Sequence, residues 1–370
     1  MNKLAIVILN YNGRHYLQKF LPTLLKYASN YPVYVADNHS SDQSVSYLKE
    51  EFPSVQILTF EKNYGFSDGY NRALDLIEAE YFILLNSDVE VTPGWLDPLL
   101  RLMDLNPKIA ACQPKLLQYD DRSRFEYAGA AGGFIDQFGY PFCRGRIFKT
   151  MERDFGQYND TCPVFWASGA CMMIRSSVFK DLGGFDPDYF AHMEEIDLCW
   201  RMKLSGFDIY YCGESVIYHV GGGTLHESDP FKTYLNFRNS LITLIKNSRR
   251  SKLFPKLFMR LVFDLIASLK FLLFDSPGDA GAVIRANYEV YRIFRHHSGK
   301  RKRIKRDNKT LTNVYHRSVV LSYYLRGKKY FFNLGLIIPD TVIPAAEPFP
   351  EIHREGQGQV KNYRGTESEE

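Results

Sequence analysis

Residues 4–13 read LAIVILNYNG, and residues 81–88 read YFILLNSD. Both begin as unbroken apolar runs and end abruptly in amide, hydroxyl or carboxylate side chains. A strand with one wet face alternates polar and apolar residues; a run without alternation belongs to a strand covered on both faces. Between the two segments lie Val33–Ala36 (VYVA) and Val55–Thr59, two further short strand signals. Helical spacing fills the gaps. Tyr16, Leu17, Phe20, Leu21, Leu24 and Leu25 recur at three and four residues, and helices are expected over about 42–51, over about 67–77, and from Pro93 or Gly94. Strand and helix alternating in this way predict an α/β fold built on parallel strands with helices on both faces.

The remainder of the chain is organised differently. Residues 110–225 are irregular, aromatic and glycine-rich, with one clear strand at Cys171–Ile174 and one clear helix at about 194–205. From about 232 the pattern is helical. Residues 299–309 (GKRKRIKRDNK) form a basic run, and the tail from about Pro339 is rich in Pro, Glu, Gly and Gln, as disordered segments are. The expected division is a catalytic domain over 1–240, with a nucleotide half to about 105 and an acceptor half over 106–240. A helical extension over 241–335 and a disordered tail over 336–370 complete it.

Composition removes several classes. The 370 residues are 45% hydrophobic and 24% charged, with a net charge of +4. That is ordinary globular composition, and the charge is too small for a field that selects nucleic acid. The first apolar run is too short for a secretory signal, and no run reaches the length of a membrane-crossing helix. The six cysteines form no CxxC pair; Cys112, Cys171, Cys199 and Cys212 have apolar neighbours and read as buried thiols. A cytoplasmic protein is expected.

In open parallel sheets, ligands bind at the carboxyl ends of the strands. Three polar clusters fall at such ends: Asn10-Tyr11-Asn12, Asp37-Asn38 and Asn86-Ser87-Asp88. Any one alone reads as turn chemistry; three together point to one ligand site. The turn NYNGRHY holds a single glycine, Gly13, so the GxGxxG approach to a dinucleotide pyrophosphate is missing, and there is no GxxxxGK[ST] loop. Asp37 suits a ribose hydroxyl in either scheme. Asp88, at the end of a buried strand, can offer a hard oxygen to Mg²⁺ or Mn²⁺, whose shell substrate phosphates and water complete.

VILNYN, VADNHSSD, NYGFSDGYNRA, LLNSDVEV, SGACMMIR, GGFDPDYF, EEIDLCWR and HVGGGT follow one another between residues 7 and 224. Their order and spacing resemble the inverting family 2 glycosyltransferases, rhamnosyltransferase-like members included, over roughly residues 3–240. The resemblance implies the GT-A fold, a Rossmann-like mixed sheet flanked by helices, here with a C-terminal helical extension. It implies a sugar transferred from a UDP- or dTDP-linked donor to an acceptor hydroxyl, with inversion, in cell-surface polysaccharide or glycolipid synthesis. It implies that Asn10, Tyr11 and Asn12 line the nucleoside pocket and that Asp37 meets the pyrimidine. Asn63, Gly65, Asn71 and Arg72 belong to the segment closing over base and diphosphate. Asn86 and Asp88 take the DxD position, with Asp88 on the metal. The amide at Asn86 leaves Asp88 the one strong anion there.

Glu194 and Glu195 open a helix, where the dipole favours anions, so ordinary helix-end charge is one reading. By resemblance Glu195 stands at the general-base position, usually aspartate, with Glu194 and Asp197 in support; Asp197 could equally pair Arg201 at i,i+4. His219 before Gly221-Gly222-Gly223-Thr224 reads as structural or, by resemblance, as a metal ligand. His192 and His226 have no such support. Trp166, Ser168 and Gly169 line the donor or acceptor pocket, with core packing an equal reading for Trp166. A non-catalytic sugar-nucleotide binder of the same fold is the other function class; the carboxylates at 88 and 195 weigh for the enzyme.

In residues 251–274, Lys252, Lys256, Arg260, Asp264 and Ser268 recur every four residues as a narrow polar stripe on an otherwise apolar helix. The helix either packs on the catalytic domain or lies on a membrane surface, reinforced by the six basic residues between 300 and 306. In the second case the chain is peripheral at the inner face of the plasma membrane and the acceptor is lipid-linked. Arg260, Asp264 and Lys270 keep the helix from spanning. No nucleic-acid module is recognisable.

Overall fold

The computed structural model describes residues 1–221, 229–304 and 311–338. The expected alternation is present: β1 (Asn2–Asn10), α1 (Arg14–Tyr27), β2 (Val33–Asp37), α2 (Ser44–Glu51), β3 (Gln56–Thr59), α3 (Gly65–Asp75) and β4 (Ala79–Leu85). The order β4-β1-β2-β3 is parallel throughout. Leu4 to Val7 of β1 and Tyr81 to Leu85 of β4 are buried, which is why neither strand alternates.

The sheet continues past β4 with strands of mixed direction, giving the mixed sheet that the family resemblance implies. After β5 (Val89–Val91) and α4 (Leu96–Leu105) come β6 (Ile109–Gln118), the small strands β7 (Gly133–Asp136), β8 (Pro141–Cys143), β9 (Arg146–Ile147) and β10 (Thr150–Met151), then β11 (Thr161–Val164) and β12 (Cys171–Arg175). α5 (Ser176–Asp181), α6 (Glu194–Leu204) and β13 (Asp208–His219) follow. β12 runs antiparallel to β4 and β6, while β13 is parallel to β6. The region expected to be irregular therefore contributes two of the longest strands of the sheet. β6 hides because Gln113, Lys115 and Pro114 interrupt its apolar pattern, yet Gln113 and Lys115 are buried. Lys115 pairs there with Asp154 at 2.7 Å, as buried charges require. β13 is broken by a register shift between Cys212 and Val216.

α7 (Pro230–Asn247), α8 (Arg250–Phe274) and α9 (Pro277–Lys300) form the helical region, followed by β14 (Val314–Tyr315), which joins β7, and α10 (Val319–Tyr324). The expected boundary at 240 falls inside α7. All six cysteines are free and buried. No helix among the described residues is long and apolar enough to cross a membrane. His226 and the tail from Pro339 lie outside the described residues.

α8 is packed with its polar stripe inward. Arg260, Asp264 and Ser268 are buried. Arg260 stacks on Tyr140 at 4.0 Å and donates to Ser240 Oγ at 2.7 Å and to the Phe138 carbonyl at 3.3 Å. Asp264 accepts from the Tyr140 hydroxyl at 3.0 Å and the Asn287 amide at 3.2 Å. Ser268 donates to the Ala280 carbonyl of α9 at 3.0 Å. The basic run is also partly turned inward: Lys300 donates to Asp186 and Asp188 at 2.6 Å, and Arg301 donates to the Ile245 and Ser248 carbonyls.

Removing one partner of a buried ion pair leaves the other uncompensated, at a cost of roughly 3–5 kcal/mol. Asp264→Ala should therefore lower the urea midpoint far more than an exposed change on the same helix such as Lys252→Ala. A loss below about 1 kcal/mol would show that the stripe does not anchor α8.

Candidate functional site

The nucleotide end gathers at the tips of β1, β2 and the loop before α3. Asn10 is buried and donates to Asp37 Oδ1 at 2.9 Å and Ser40 Oγ at 3.1 Å; its own Oδ1 has no partner. Asp37 also accepts from the Ser40 backbone at 2.9 Å. Asn12, in the left-handed region, accepts from the Ser41 and Asp42 backbones, while Tyr11 stays exposed beside it. Asn38 then shapes the next segment, donating to Asn63 Oδ1 and the Gly65 carbonyl at 3.0 Å and accepting from Tyr64 N–H at 2.9 Å.

β4 ends at Leu85 and β13 ends at His219, which pairs in register with Val89. That register sets His219 beside Asp88. The imidazole Nε2 lies 3.1 Å from Asp88 Oδ1 and 3.4 Å from the Asn86 amide, and Nδ1 lies 3.2 Å from Glu126 Oε1. Asp88, His219 and Glu126 are all buried. Burial alone would lower the His219 pKa, but the Glu126 and Asp88 carboxylates outweigh it and push it up to about 10. Burial alone would raise the Asp88 carboxyl; the neighbouring imidazolium holds it below the usual range. Glu126 was missed in the sequence because FEYAGAAGG gives no sign that the segment folds back on β6, its Glu126 N–H donating to the Leu116 carbonyl at 3.0 Å.

The catalytic end is built on a strained turn. Phe190, His192 and Met193 have φ of 63°, 68° and 74°, a left-handed backbone in three of the four residues before α6. The Phe190 carbonyl accepts from Phe66 N–H at 2.7 Å and Ser67 N–H at 3.3 Å. Gly65 makes this approach possible: a Cβ there would lie 2.6 Å from the Phe190 ring. One amide from α7, Asn239, donates to the carbonyls of Tyr189, Ala191 and His192 at 3.0, 2.9 and 2.8 Å. Glu194 and Glu195 emerge immediately after. Burial pushes the Glu195 carboxyl up to about 7, and burial followed by repulsion from Glu195 also raises the Glu194 carboxyl above the ordinary range. Each keeps a buried Oε2 without a hydrogen-bond partner, as does His192 Nε2, and burial lowers the His192 pKa to about 4.

The two ends meet at Ser168–Ala170. The Ala170 carbonyl accepts from Asn86 N–H at 3.0 Å, and a Cβ on Gly169 would lie 3.9 Å from Glu195 Cβ. Four expected residues are placed apart from this groove. Trp166 is in the core, its ring over Gly133 and its indole N–H on the Phe134 carbonyl at 2.9 Å. Asn71 brackets the Phe185 backbone, accepting from its N–H and donating to its carbonyl at 2.9 Å. Arg72 pairs with Asp68 at 2.9 Å and stacks on Tyr64 at 3.7 Å on the surface. Asp197 is enclosed by Lys246 at 2.9 Å, Arg201 at 2.9 Å and the Asn247 amide at 2.8 Å, so its oxygens are taken up structurally. Asp188, His296 and His297 also cluster, at a spacing open to a metal. The Lys300 ammonium lies 2.6 Å from Asp188, and this cationic occupant makes the group an ion-pair network rather than a metal centre.

The sequence profile described as glycosyl transferase family 2 matches residues 5–183. An N-acetylglucosaminyl-diphospho-decaprenol L-rhamnosyltransferase of Mycobacterium tuberculosis is 30% identical over 240 residues, 60% of this chain and 77% of that one. The rhamnosyltransferase WbbL of Escherichia coli is 26% identical over 213 residues, 56% of this chain and 79% of that one. This chain belongs to the family 2 glycosyltransferases. Among solved structures, GalNAc-T7 with UDP, GalNAc and Mn²⁺ superposes with a TM-score of 0.52 at 14% identity, over 66% of this chain and 48% of that one. S. aureus TarS residues 1–349 superpose with a TM-score of 0.50 at 16% identity, over 89% and 93%. The fold is GT-A, as the motif order implies.

Asn239→Ala removes the amide that holds three carbonyls of the strained turn without touching the groove itself. Misplacing a reacting group by about 1 Å costs on the order of 10² in rate. Turnover of this variant should fall on that scale while nucleotide affinity, measured by calorimetry, stays within about twofold. Unchanged turnover would mean that the turn keeps its shape without Asn239.

Proposed function

We propose that this glycosyltransferase moves a sugar from a UDP- or dTDP-linked donor to an acceptor hydroxyl, with inversion, in cell-surface polysaccharide or glycolipid synthesis. The observation that carries the reading is the buried Asp88–His219–Glu126 group, joined to Glu195 through the Ser168–Ala170 segment, which accepts from Asn86 N–H at Ala170 and lies against Glu195 at Gly169. Asn10, Tyr11, Asn12 and Asp37 hold the nucleoside, with Asn38 and Asn63 shaping the wall beside them. Glu195 accepts the proton of the acceptor hydroxyl as that oxygen attacks the anomeric carbon. Asp197 positions α6 through Lys246 and does not touch substrate.

The donor set suits a divalent cation. One carboxylate oxygen and one imidazole nitrogen stand 3.1 Å apart, both buried, and Glu126 behind the ring orients it as carboxylates behind ligating histidines do. The proton that Asp88 and His219 share is what a cation would displace. An imidazole ligand favours Mn²⁺ over Mg²⁺, which prefers oxygen. When bound, the ion neutralises charge on the diphosphate leaving group. The acceptor we propose is a carbohydrate carried on a lipid, as the name of the mycobacterial relative describes for that enzyme. The chain then works at the cytoplasmic face of the plasma membrane. A non-catalytic binder would have no use for a base of raised pKa in the groove.

Asp88→Ala should abolish donor turnover and remove the Mn²⁺-dependent rise in melting temperature given by UDP, since a ligand specific to the native state stabilises by mass action. An undiminished Mn²⁺-dependent shift would move the metal elsewhere.

Glu195→Gln should keep donor binding and lose about 10²–10⁴ in rate. In the wild type, activity should rise with pH through about 7, where Glu195 loses its proton. A carboxyl whose folded pKa is raised contributes stability below the usual carboxylate pKa and loses it as pH rises through the folded value. Glu195→Gln should therefore melt above wild type at pH 8 and level with it at pH 4. Wild-type activity that is flat between pH 5 and 8 would remove Glu195 as the base.

A further inference from the structure

We infer that the outward face of α8 docks on an anionic lipid bilayer. This deepens the lipid-linked acceptor proposed above and rests on it only for its purpose. A surface helix normally turns its charged side chains to water and its apolar stripe to the core. α8 does the reverse. Arg260, Asp264 and Ser268 are buried, while Phe254, Phe258, Leu261, Leu265, Leu269 and Leu272 are 44–68% exposed. Their spacing of four, three, four, four and three residues puts them in one stripe along a 25-residue helix, about 37 Å long. Contiguous apolar surface on this scale marks an interaction site.

Charge decides the occupant. The sole acidic side chain of α8 is Asp264, and it is buried. Lys252 is exposed at the start of the helix, and Arg292 and Arg295 are exposed on the neighbouring α9, whereas Arg285 of α9 turns to α7, over Tyr234 at 4.7 Å. Two of the nearby anions are engaged: Asp275 by Lys270 at 2.7 Å and Lys149 at 3.8 Å, and Glu289 by Arg238 at 3.6 Å. Tyr288 and Tyr291 of α9 are also exposed, the residue type that settles at headgroup level. A two-fold contact with a second copy would set these cations against one another. An anionic bilayer receives both the apolar stripe and its basic rim.

The test is flotation of the full chain with phosphatidylcholine vesicles, with and without phosphatidylglycerol. Wild type should float with the anionic vesicles and be partly released by high salt, which screens the basic rim. Leu265→Ser with Leu269→Ser, and Phe258→Glu with Leu265→Glu, should each cut the floated fraction about tenfold. Lys252→Glu with Arg292→Glu should abolish the preference for anionic vesicles. Circular dichroism establishes that each variant is folded. Wild type remaining soluble with anionic vesicles at low salt overturns the inference, as does equal flotation on both vesicle types. So does a lipid-free dimer that the leucine variants dissociate, because the occupant is then a second copy. UDP binding with Mn²⁺, measured without vesicles, tests the donor site separately. If neither UDP nor dTDP binds under those conditions, the proposed donor site fails and flotation alone judges α8.

Discussion

The left-handed turn at Phe190, His192 and Met193 is the constraint on which the rest of the site depends. Residues with side chains adopt such backbone at a cost of roughly 1–3 kcal/mol each, and keep it only where the surroundings over-determine it. Here two separate parts of the chain, α3 and α7, do so. α3 supplies two N–H donors to the Phe190 carbonyl, α7 supplies Asn239 and Arg238, and the Tyr189 hydroxyl meets Thr243 at 2.7 Å. The nucleotide segment, the carboxylates of α6 and the helical region thus share one joint. Gly65 and Asn71, expected in the segment over the nucleotide, also serve this part of the chain: Gly65 by leaving room for Phe190, and Asn71 by bracketing Phe185.

Buried charge ties the helical region to the catalytic one. Asp186 accepts from Lys246 and from Lys300, both at 2.6 Å, and although burial would raise its carboxyl, these ammonium groups hold it down at about 2. Asp197 shares Lys246. Such pairs gain little net stability over apolar packing, yet breaking one is costly, so they fix geometry more than they add energy. Two lysines from α7 and α9 thereby set where α6 begins, and with it where Glu195 stands.

The parallel half of the sheet was legible because β1 over Leu4–Leu9 and β4 over Tyr81–Leu85 are unbroken apolar runs enclosed by the fold. The site clusters at their ends were legible for the same reason: a polar residue after such a run has a strand tip to sit on. β6 and β13 were not legible, because Gln113 and Lys115 are buried polar residues whose partners, Ser168 and Asp154, lie far along the chain. Glu126 and Asn239 stayed hidden likewise. Their roles rest on pairings 93 and about 50 residues away that no local pattern announces (Glu126 to His219, Asn239 to Tyr189). Trp166 and Asp197 show the converse: each stands in a motif, and each is consumed by the core.

The polarity of α8 could not be read from its sequence at all. A four-residue stripe of Lys, Arg, Asp and Ser says which residues share a face, and the usual rule assigns that face to water. What reverses it is the surface that α8 meets. Tyr140, the Phe138 carbonyl, Ser240 and Asn287 offer a hydroxyl, an acceptor, a second hydroxyl and an amide in register with Arg260 and Asp264. Buried polar groups persist only where they are paired, so this polar floor selects the polar stripe and sends the leucines and phenylalanines outward. The same extension holds both the outward face and the turn before Glu195, through Lys246, Asn239 and Lys300. A surface docked on α8 would therefore stand at a height above the catalytic carboxylate fixed by packed helices, and a lipid-carried hydroxyl would reach the groove from a constant plane.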